Sequence, residues 1–485
     1  MIEDLRDFIA KCEEIGELAR VSTEVDWDLE LCTVADLNDE KKGPALLFEK
    51  VRDSKFPVLI GALSSARRCA LALDMPMSLS RGQMAREWME RVSKTRIPPR
   101  VVSDGPVLEN VIEEEDVDLF RLPIPRFYPL DGGRYVGTNA ALVTQDPETG
   151  WTNLGTYRMG VHDSRRVGIY TQRGKHSYAM ALKYREMGKN MPAAIVVGQL
   201  PLLFLLSSTG VPWGISEYDY AGAVRGEPVE VVRTDLSGLL VPAAAEWVIE
   251  GEINPDPSTF LPEGPFGEYP GYYSVTAADE FPKPVFDVKR ILHRDNAIFW
   301  CQTVGNLGAG KNVIPSIQIS ASIWSELTTM RIPGIMGVFC PPESGARFMV
   351  VVSVKQQYPG HTSQVAHAVA ATLVGNYRIK IIVVVDDDIP ADDIEQVLWA
   401  IANRSNPERS VQIFRRTTSE VLDPGLDFEE REIGSRLFID ATIPYEWKRK
   451  PIMVNLDTEM VQKVKDQWDK YGIGASESTL SRVTA

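Results

Sequence analysis

The sequence predicts a multidomain fold of mixed class, α/β (α+β), with a β-rich middle region between two α/β ends. Strand patterns alternate with helical patterns at both ends of the chain, and this alternation is typical of α/β domains. The middle carries three β-rich runs in succession, joined by turn-forming residues, which indicates an antiparallel sheet or a partly open barrel. A length of 485 residues is consistent with about three domains.

The N-terminal region, residues 1–117, is predicted to form a small α/β domain. Apolar residues at helical spacing from Ile2 to Cys12, followed by Gly16 as a stop, predict its first helix. A Pro-rich run at 97–106 marks its outer limit. The patterns between them predict strands at 18–21, 45–48 and 57–63 and helices at 29–37, 65–73 and 80–94.

The middle region, residues 118–304, is predicted to be the β-rich domain. Its patterns predict strands at 135–145, 151–161, 166–172, 229–233, 284–292 and 297–304, and helices at 177–187 and 243–250. The apolar run at 193–211 approaches the length of a membrane span, but Gln199 and Pro201 interrupt it. A buried strand, a turn at Pro201 and a second short element are therefore expected there.

The last third of the sequence returns to the α/β pattern. We expect an interdomain crossover at 305–328, a C-terminal α/β domain at 329–455 that also mediates oligomerisation, and a helix with a tail at 456–485. The apolar run at 379–385, in which Lys380 is the one polar residue, predicts a central strand that is buried on both faces. The remaining patterns predict helices at 317–329, 361–374, 391–402 and 458–470, and strands at 334–340 and 348–354. The terminal helix has little core of its own, so we expect it to dock on a partner subunit.

Composition narrows the function classes. A net charge of −15 argues against nonspecific binding to nucleic acid or to an anionic membrane. The chain begins without the charged-then-apolar pattern of a signal peptide, so a cytoplasmic location is expected. Dispersed cysteines without C-x-x-C spacing indicate a reducing compartment and no disulfide framework: Cys12, Cys32, Cys69, Cys301 and Cys340.

Three polar residues from separate segments could bind a metal ion. Asn153, His176 and Glu217 offer an amide oxygen, an imidazole and a carboxylate, a donor set that suits Mn²⁺ or Mg²⁺. Such an ion commonly bridges to the phosphate of a substrate or cofactor. The alternative is a hydrogen-bonded strand asparagine, a surface histidine and an exposed glutamate, and spacing alone leaves both interpretations open.

The motif E-G-P-F-G-E places Glu263 and Glu268 five residues apart. Its glycines and proline predict a tight turn, which can bring both carboxylates to one cavity. Arg158 is the candidate cation between them, because its fork can pair bidentately with one glutamate and keep it ionised. The other glutamate, less well paired and beside an apolar wall of Tyr269, Tyr272 and Tyr273, would have a raised pKa and could carry a proton. A solvated turn with two surface acids is the open alternative.

Two further motifs resemble functional sites but favour structural roles. Residues 305–312, G-N-L-G-A-G-K-N, nearly match a phosphate-binding loop, yet Asn312 replaces the usual hydroxyl residue. Pro315 makes the following helix N-terminus doubtful, so a glycine-rich crossover is the preferred interpretation. The acidic run Asp386 to Asp388 could bind a metal, but it is more typical of a strand end that also caps the next helix.

Taken together, five collinear motifs closely resemble the UbiD family of reversible decarboxylases, named after 3-polyprenyl-4-hydroxybenzoate decarboxylase. They extend from about Asp118 to Asp388. Each motif alone is weak, but their order makes a coincidence improbable. The motifs are W-x-N-x-G-x-Y-R from Trp151, K-H at Lys175, E-Y-D-Y-A-G-A-V-R-G-E-P-V-E from Glu217, E-G-P-F-G-E-Y-P-G-Y-Y from Glu263 and V-V-V-D-D-D-I from Val383.

The resemblance implies a central split β-barrel like that of flavin reductases, prenylated flavin mononucleotide (FMN) as cofactor, and assembly as a homodimer or homohexamer. It implies that Asn153, His176 and Glu217 hold Mn²⁺ (or Mg²⁺), with K⁺ nearby, at the cofactor phosphate. It further implies that Arg158, Glu263 and Glu268 are catalytic. The residues that it places against the cofactor are Asn153, Thr156, Tyr157, Arg158, Gln172, Lys175, His176 and Glu217.

The activity implied by the resemblance is reversible, non-oxidative decarboxylation of an aromatic, heteroaromatic or α,β-unsaturated carboxylic acid. The implied mechanism has a covalent bond between substrate and cofactor, loss of CO₂, and delivery of a proton by Glu268. A flavin prenyltransferase would supply the cofactor. The alternative function is an ordinary FMN oxidoreductase on the same barrel, although hydride transfer has no need of the Arg158, Glu263 and Glu268 group.

Overall fold

A four-stranded sheet organises the N-terminal part of the chain in the computed structural model, which describes residues 1–274, 281–305, 309–427, 429, 431–454 and 456–471. The elements of this part are α1 (Leu5–Glu14), β1 (Leu18–Val21), α2 (Glu30–Glu40), β2 (Ala45–Phe48), β3 (Val58–Ile60), α3 (Ala66–Ala72), α4 (Arg81–Val92), β4 (Arg100–Val102) and β5 (Asn110–Glu113). The three strands and four helices predicted up to residue 94 are confirmed. Asp4 caps α1, and Gly16 follows it with a φ of 73°.

The central part contains a larger sheet that positions the candidate site. Its elements are β6 (Ala141–Gln145), β7 (Thr152–Gly155), β8 (Met159–Val161), β9 (Arg166–Ile169), α5 (His176–Glu186), β10 (Met191–Val197), α6 (Pro201–Ser207), α7 (Glu217–Arg225), β11 (Glu230–Arg233), β12 (Leu240–Pro242), β13 (Trp247–Ile253), β14 (Leu261–Glu263), β15 (Phe281–Lys283), β16 (Val285–His293) and β17 (Phe299–Trp300). Its main sheet runs in the order β7-β6-β10-β13-β16-β9-β8, with β5 also paired to β16.

This eight-stranded sheet must curl into a half-barrel because its two edge strands are consecutive in sequence. In a flat sheet, β7 and β8 would lie about 29 Å apart at the usual strand spacing. The link between them, residues 156–158, can span at most about 14 Å even when extended. Of the two predicted alternatives, an antiparallel sheet or a partly open barrel, the structure has an antiparallel sheet that curls into a half-barrel, and the link crosses the gap between its edges.

The helix predicted at 243–250 is wrong. The structure instead forms β13 over Trp247–Ile253, paired antiparallel with β10 and β16 in the middle of the sheet. The alanines before Glu246 favour a helix, but Trp247, Val248 and Ile249 are aromatic or β-branched and fully buried. Burial on both faces of the sheet therefore outweighs the local helix propensity.

The strand predicted at 297–304 is shortened to β17 and leaves the central sheet. It pairs in parallel with β3, so Phe299 and Trp300 complete the N-terminal four-stranded sheet. Both side chains are fully buried. The sheets of the first two parts of the chain are thus joined through one hydrophobic core.

The last part forms a five-stranded sheet in the order β18-β19-β20-β22-β21. Its elements are α8 (Val313–Thr329), β18 (Ile335–Phe339), β19 (Met349–Val354), α9 (His361–Ala371), β20 (Ile381–Asp386), α10 (Ile394–Arg404), α11 (Pro407–Ser410), β21 (Val411–Thr418), β22 (Ile433–Ala441) and α12 (Thr458–Lys465). The predicted central strand is confirmed, because β20 has parallel neighbours on both sides and buries Ile382 to Val385. The predicted tail beyond residue 471 lies outside the described residues.

The apolar run at 193–211 is also interpreted correctly. It forms the end of β10 and then α6, which begins at Pro201, where proline is tolerated in the first turn of a helix. Over the described ranges, every helix is too short or too polar to cross a membrane.

Candidate active site

Arg158 is the last residue of the link that crosses the gap in the curled sheet, and it contacts both predicted glutamates. Its Nε and Nη2 atoms donate to Glu263, with Nη2 2.6 Å from Oε2. Its Nη1 atom donates to Oε1 of Glu268 at 2.6 Å and to Oγ of Ser274 at 2.8 Å. The guanidinium lies over the Tyr170 ring, with Cζ 3.8 Å from the ring centroid. The predicted bidentate pairing with one glutamate is therefore present, with Glu263 as the partner.

The turn between the two glutamates is formed by backbone geometry that glycine permits. Glu263 ends β14, and Gly264 follows with a φ of 105°, a value that L-residues rarely adopt. The buried carboxylate of Asp131 fixes the turn by accepting hydrogen bonds from the amides of Gly267 and Tyr128, both at 2.9 Å. Burial raises the pKa of Asp131 to about 6. The turn thus directs both glutamates toward Arg158.

The two glutamates differ in environment. The Glu263 carboxylate receives Arg158 through two nitrogens, and the Tyr135 hydroxyl lies 3.2 Å from its Oε1 atom. For Glu268, Arg158 is the one side-chain or backbone donor among the described residues. Burial raises the pKa of Glu268, and the charge of Glu263 adds to this, although Arg158 opposes both. Burial also disfavours the charge of Arg158, but the two carboxylates raise its pKa above the usual value. Arg158 therefore stays charged while Glu268 is biased toward its protonated form.

A cavity of about 250 Å³ opens beside this cluster. Arg158 and Glu268 line it together with four of the residues predicted to contact a cofactor: Thr156, Tyr157, Gln172 and Lys175. Of the three tyrosines predicted to form an apolar wall, only Tyr269 lines the cavity, and Tyr272 is exposed. The other lining residues are Gly137, Thr138, Tyr170, Phe266, Val304, Arg347 and Leu422.

The four predicted cofactor-contacting residues that line the cavity differ in their surroundings. Thr156 bonds Ser207 through backbone and side chain, with the two hydroxyl oxygens 2.9 Å apart. Gln172 donates to the Tyr170 hydroxyl at 3.1 Å. Burial raises the pKa of the Tyr157 phenol to about 12, so it stays protonated at neutral pH. Lys175 precedes α5 and is exposed.

The structure also brings Asn153, His176 and Glu217 into one region. The Oδ1 atom of Asn153 lies 2.9 Å from Nδ1 of His176. The Oε2 atom of Glu217 accepts a hydrogen bond at 2.7 Å from the amide of Leu154, which neighbours Asn153. Glu217 is 2% exposed, and burial raises its pKa to about 8. Asn153 is buried in β7, whereas His176 and Glu217 are the first residues of α5 and α7.

The side chains of Asn153, His176 and Glu217 carry donor atoms that can be assessed as ligands of a metal ion. Among the residues described, no group of three or more histidine, cysteine, aspartate or glutamate side chains could hold a metal ion. The Asn153 group differs in that an amide oxygen supplies one of its donors. Glu217 has no ion-pair partner within the described ranges, so its buried carboxylate lacks a compensating cation. A divalent cation would supply that charge.

The two motifs given structural interpretations can be checked in part. Residues 306–308 of the glycine-rich segment lie outside the described residues, but Lys311 is paired with Asp36. Pro315 does not prevent a helix from following this segment, because α8 begins at Val313 and includes Pro315 in its first turn. Asp386 and Asp388 pair with Arg404, in agreement with a structural role. The predicted helix cap at Asp388 is wrong, since Asp393 caps α10.

Several residues at the site could not be identified from the sequence. Tyr135, Tyr170 and Ser274 contact the Arg158 cluster, and Arg347 and Leu422 reach the cavity from the C-terminal part. Tyr135 and Tyr170 lie within β-rich runs and resemble ordinary core residues. Arg347 and Leu422 lie in polar segments without any motif. Only the three-dimensional fold brings them together.

Comparison with protein-family models defines the class of protein: three models described as parts of a carboxy-lyase match nearly the whole chain. The N-terminal domain of 3-octaprenyl-4-hydroxybenzoate carboxy-lyase matches residues 9–92, its Rift-related domain residues 100–307, and its C-terminal domain residues 313–441. The chain therefore belongs to the UbiD family, and it is a carboxy-lyase. The resemblance predicted from five motifs is confirmed.

Individual relatives agree with this assignment. A protein from Archaeoglobus fulgidus, described as uncharacterized, is 32% identical over 96% of this chain and 98% of its own. The vanillic acid decarboxylase of Sedimentibacter hydroxybenzoicus, in its closed form, is 31% identical over 97% of this chain and 99% of its own, with a TM-score of 0.84. The UbiD-class enzyme HmfF from Pelotomaculum thermopropionicum, in complex with FMN, is 30% identical over 93% and 97%, with a TM-score of 0.83.

Proposed function

We propose that this chain catalyses the reversible, non-oxidative decarboxylation of an aromatic, heteroaromatic or α,β-unsaturated carboxylic acid, with prenylated FMN bound in the cavity. The observation that carries the proposal is the contact of Arg158 with both Glu263 and Glu268 at the cavity wall. Among the relatives, the S. hydroxybenzoicus protein is a vanillic acid decarboxylase, and an evolved dimeric form of HmfF is in complex with prFMN. These relatives support both the reaction class and the cofactor.

Residues on one side of the site suit the cofactor phosphate. Asn153, His176 and Glu217 would hold Mn²⁺ (or Mg²⁺), with K⁺ nearby, and the ion would neutralise the buried Glu217 carboxylate. The ammonium of Lys175 would add a second positive charge for the phosphate. Thr156, Tyr157 and Gln172 would contact the cofactor from the cavity wall. Burial and Lys175 lower the pKa of His176, so its imidazole stays neutral and can act as a ligand.

Within this proposal, the residues of the chain have distinct roles. When bound, prenylated FMN supplies an electron sink for the pair of electrons left behind by CO₂. Arg158 attracts the substrate carboxylate, while Glu263 balances its charge and holds the guanidinium in place. Phe266, Val304 and Leu422 give the cavity apolar surface, which limits the hydration of the reacting carboxylate.

Glu268 is the proposed proton donor. Burial raises its pKa and so favours the protonated form of the carboxyl group, and its position on the cavity wall gives access to the carbon that loses CO₂. After the proton leaves, the resulting carboxylate is stabilised by the Nη1 atom of Arg158 at 2.6 Å. Solvent then returns a proton to Glu268. In the carboxylation direction, the same carboxylate accepts the proton.

The test is to co-express the chain with a flavin prenyltransferase, purify the holoenzyme and screen aromatic, heteroaromatic and acrylic acids for CO₂ release. We expect turnover of at least one acid, and none by protein produced without the prenyltransferase. A holoenzyme that oxidises NAD(P)H and releases no CO₂ from any acid would contradict the proposal and favour the FMN oxidoreductase function.

The metal role is tested separately with His176→Ala. We expect this variant to lose Mn²⁺ and flavin together, measured by elemental analysis and absorbance. The matched control is His367→Ala, since His367 is an exposed histidine on α9 that lies outside the cavity. Unchanged metal content in His176→Ala would contradict the assignment of this ligand.

We further propose that the C-terminal region, residues 329–455, mediates assembly into a homodimer or homohexamer, with α12 docked on a partner subunit. In support, α12 buries no residue within its own chain, and HmfF has an evolved dimeric form. The curled sheet is proposed to correspond to the split barrel of flavin reductases, and the protein to act in the cytoplasm. Light scattering of the holoenzyme should give two or six chains, and a monomer would contradict the assembly proposal.

A further inference from the structure

Arg347 is a cavity residue for which the reaction proposed above has no role. It lies in the segment before β19, and its Cζ atom is 4.0 Å from the centroid of the Tyr269 ring. Its Nη1 atom donates to the Gly345 carbonyl at 3.2 Å and approaches the Asn312 amide oxygen at 3.5 Å. Within the described ranges it has no carboxylate at ion-pair distance. A half-buried guanidinium thus lines the cavity without a direct ion-pair partner among the described residues.

The other cations around the cavity are balanced or already assigned. Arg158 is paired with Glu263 and Glu268, and Arg378 with Glu420 at 3.4 Å. Lys175 lies beside the proposed phosphate site. Of the cations on the described cavity wall, Lys175 and Arg347 have no ion-pair partner, and the proposed function assigns an anion only to Lys175. A desolvated guanidinium in such a position is stabilised when a bound anionic group supplies the missing charge.

The surroundings of Arg347 point to the substrate as the source of that anion. Its charged neighbours are Arg378, Glu420, Glu268 and Lys175, so it lies between the acid–base group and the proposed phosphate site, within reach of a substrate bound beside Glu268. Tyr269 lines the same cavity, and its buried hydroxyl has no hydrogen-bond partner among the residues described. One guanidinium and one free phenolic hydroxyl could together bind a carboxylate.

We propose that Arg347, assisted by the Tyr269 hydroxyl, binds a second carboxylate of the substrate, so that this chain prefers dicarboxylic acids. The inference rests on the proposed decarboxylase function. One carboxylate would lie at Arg158 and Glu268 and leave as CO₂, while the other would be held at Arg347 and stay on the product. Arg347 is thus a specificity-determining residue, and it takes no part in the proton transfer.

The test compares benzoate with benzene-1,3-dicarboxylate and benzene-1,4-dicarboxylate as ligands of wild type and of Arg347→Met. Isothermal titration on FMN-loaded protein measures affinity without turnover. On the active holoenzyme, the same three compounds are compared as inhibitors of the decarboxylation of the acid found in the screen. We expect at least one dicarboxylate to bind wild type about tenfold or more tightly than benzoate. Arg347→Met should lose this preference and keep its affinity for benzoate, and Arg347→Lys should retain part of it.

The controls distinguish other roles of Arg347. Arg86→Met removes an exposed arginine of α4 and should leave the preference unchanged. A loss of FMN affinity in Arg347→Met would identify the bound anion as the cofactor phosphate and overturn the proposal. A shifted pH profile with an unchanged ratio of affinities would overturn it too, since Arg347 would then act only on Glu268. If the dicarboxylate preference is present but no acid is decarboxylated, the proposed function fails and the anion site stands.

Discussion

Two clusters in this protein have the same composition, one arginine between two carboxylates, but different surroundings. Arg158 lies between Glu263 and Glu268 at the cavity, and Arg404 lies between Asp386 and Asp388 at the end of β20. Asp386 also accepts from Gln356 at 2.7 Å and from the amide of Ile443 at 2.8 Å. Asp388 is 49% exposed, so its carboxylate is accessible to solvent.

An arginine between two carboxylates is therefore not by itself a reactive group. Burial raises the pKa of Asp386 as it raises that of Glu268, yet Asp386 is surrounded by donors and lines no described cavity. Glu268 is 12% exposed, has one donor, and faces the cavity. A proton on Glu268 can therefore reach a ligand in the cavity, whereas Asp386 lies outside that cavity and is held by several donors.

The largest expected effect is a loss of turnover, and it should distinguish the Arg158 cluster from the Arg404 cluster. Glu268→Gln should lower CO₂ release by on the order of 10²- to 10⁴-fold, because the amide cannot deliver a proton. Flavin absorbance and metal content should match wild type. Asp386→Asn is the matched control and should keep turnover close to that of wild type. Loss of flavin from Glu268→Gln would assign Glu268 a structural role, and turnover would then no longer distinguish the Arg158 cluster from the Arg404 cluster.

The pH dependence of turnover should also depend on Glu268 and not on Asp386. Glu268 must be protonated to act, and its pKa is raised, so activity should fall as pH rises through that raised value. The fall should approach tenfold per pH unit, measured as kcat/KM across a buffer series. Asp386→Asn should show the same alkaline limb as wild type. A rate that increases steadily with pH would be inconsistent with Glu268 as the acid.

A smaller effect, on stability alone, is expected for Arg404→Met. Removal of the guanidinium leaves Asp386 without one of its donors, which should cost about 1–3 kcal/mol in the free energy of unfolding at neutral pH. The variant also loses the ion pair between Arg404 and Asp388. Arg404 lowers the pKa of Asp388 below its ordinary 3.8, so the stabilisation from this ion pair is present above pH 3.8 and is lost as pH falls through the lowered pKa.

The measurement for Arg404→Met is urea denaturation of wild type and variant at several pH values. The difference between them should shrink in acid, as both aspartates take up protons. Turnover per folded molecule should stay close to wild type. A large loss of activity without a loss of stability would show that the Arg404 cluster has a functional role after all.

The smallest expected effect comes from Tyr135→Phe. The Tyr135 hydroxyl lies 3.2 Å from both Glu263 Oε1 and the Pro265 carbonyl oxygen, so it can donate to only one of them at a time. Its loss should lower the free energy of unfolding by about 0.5–1.5 kcal/mol and reduce turnover only modestly, because Arg158 still holds Glu263. If turnover in this variant fell as far as in Glu268→Gln, the hydroxyl would be part of the proton path.

The sequence predicted those elements whose signal is local. The run at 379–385 could be recognised as a buried central strand because six of its seven residues are apolar, and the exception, Lys380, lies just before the strand begins at Ile381. The prediction of a helix at 243–250 is wrong because three alanines favour a helix locally, whereas the pairing of β13 within the central sheet determines the conformation. The strands β21 and β22 were not predicted. β21 is largely exposed, and the polar residues R-R-T-T fill its second half, while β22 begins with the polar stretch G-S-R after Ile433.

The candidate site shows the same limit. Asn153, Arg158, His176, Glu217, Glu263 and Glu268 could be selected because they lie in motifs with unusual chemistry. Arg347 lies in a polar loop, so nothing in its own segment indicates a cavity. Its position depends on the packing of that loop against Tyr269, which is 78 positions earlier in the sequence. Long-range packing of this kind leaves no trace in a single sequence.

The link at residues 156–158 has a consequence for redesign of this protein. The same three residues close the half-barrel and carry Arg158, so an insertion there would disturb the architecture and the chemistry at once. Arg347 and Leu422 belong to segments around a separate sheet. Directed evolution toward new acids could therefore randomise those two positions while the reactive centre remains untouched.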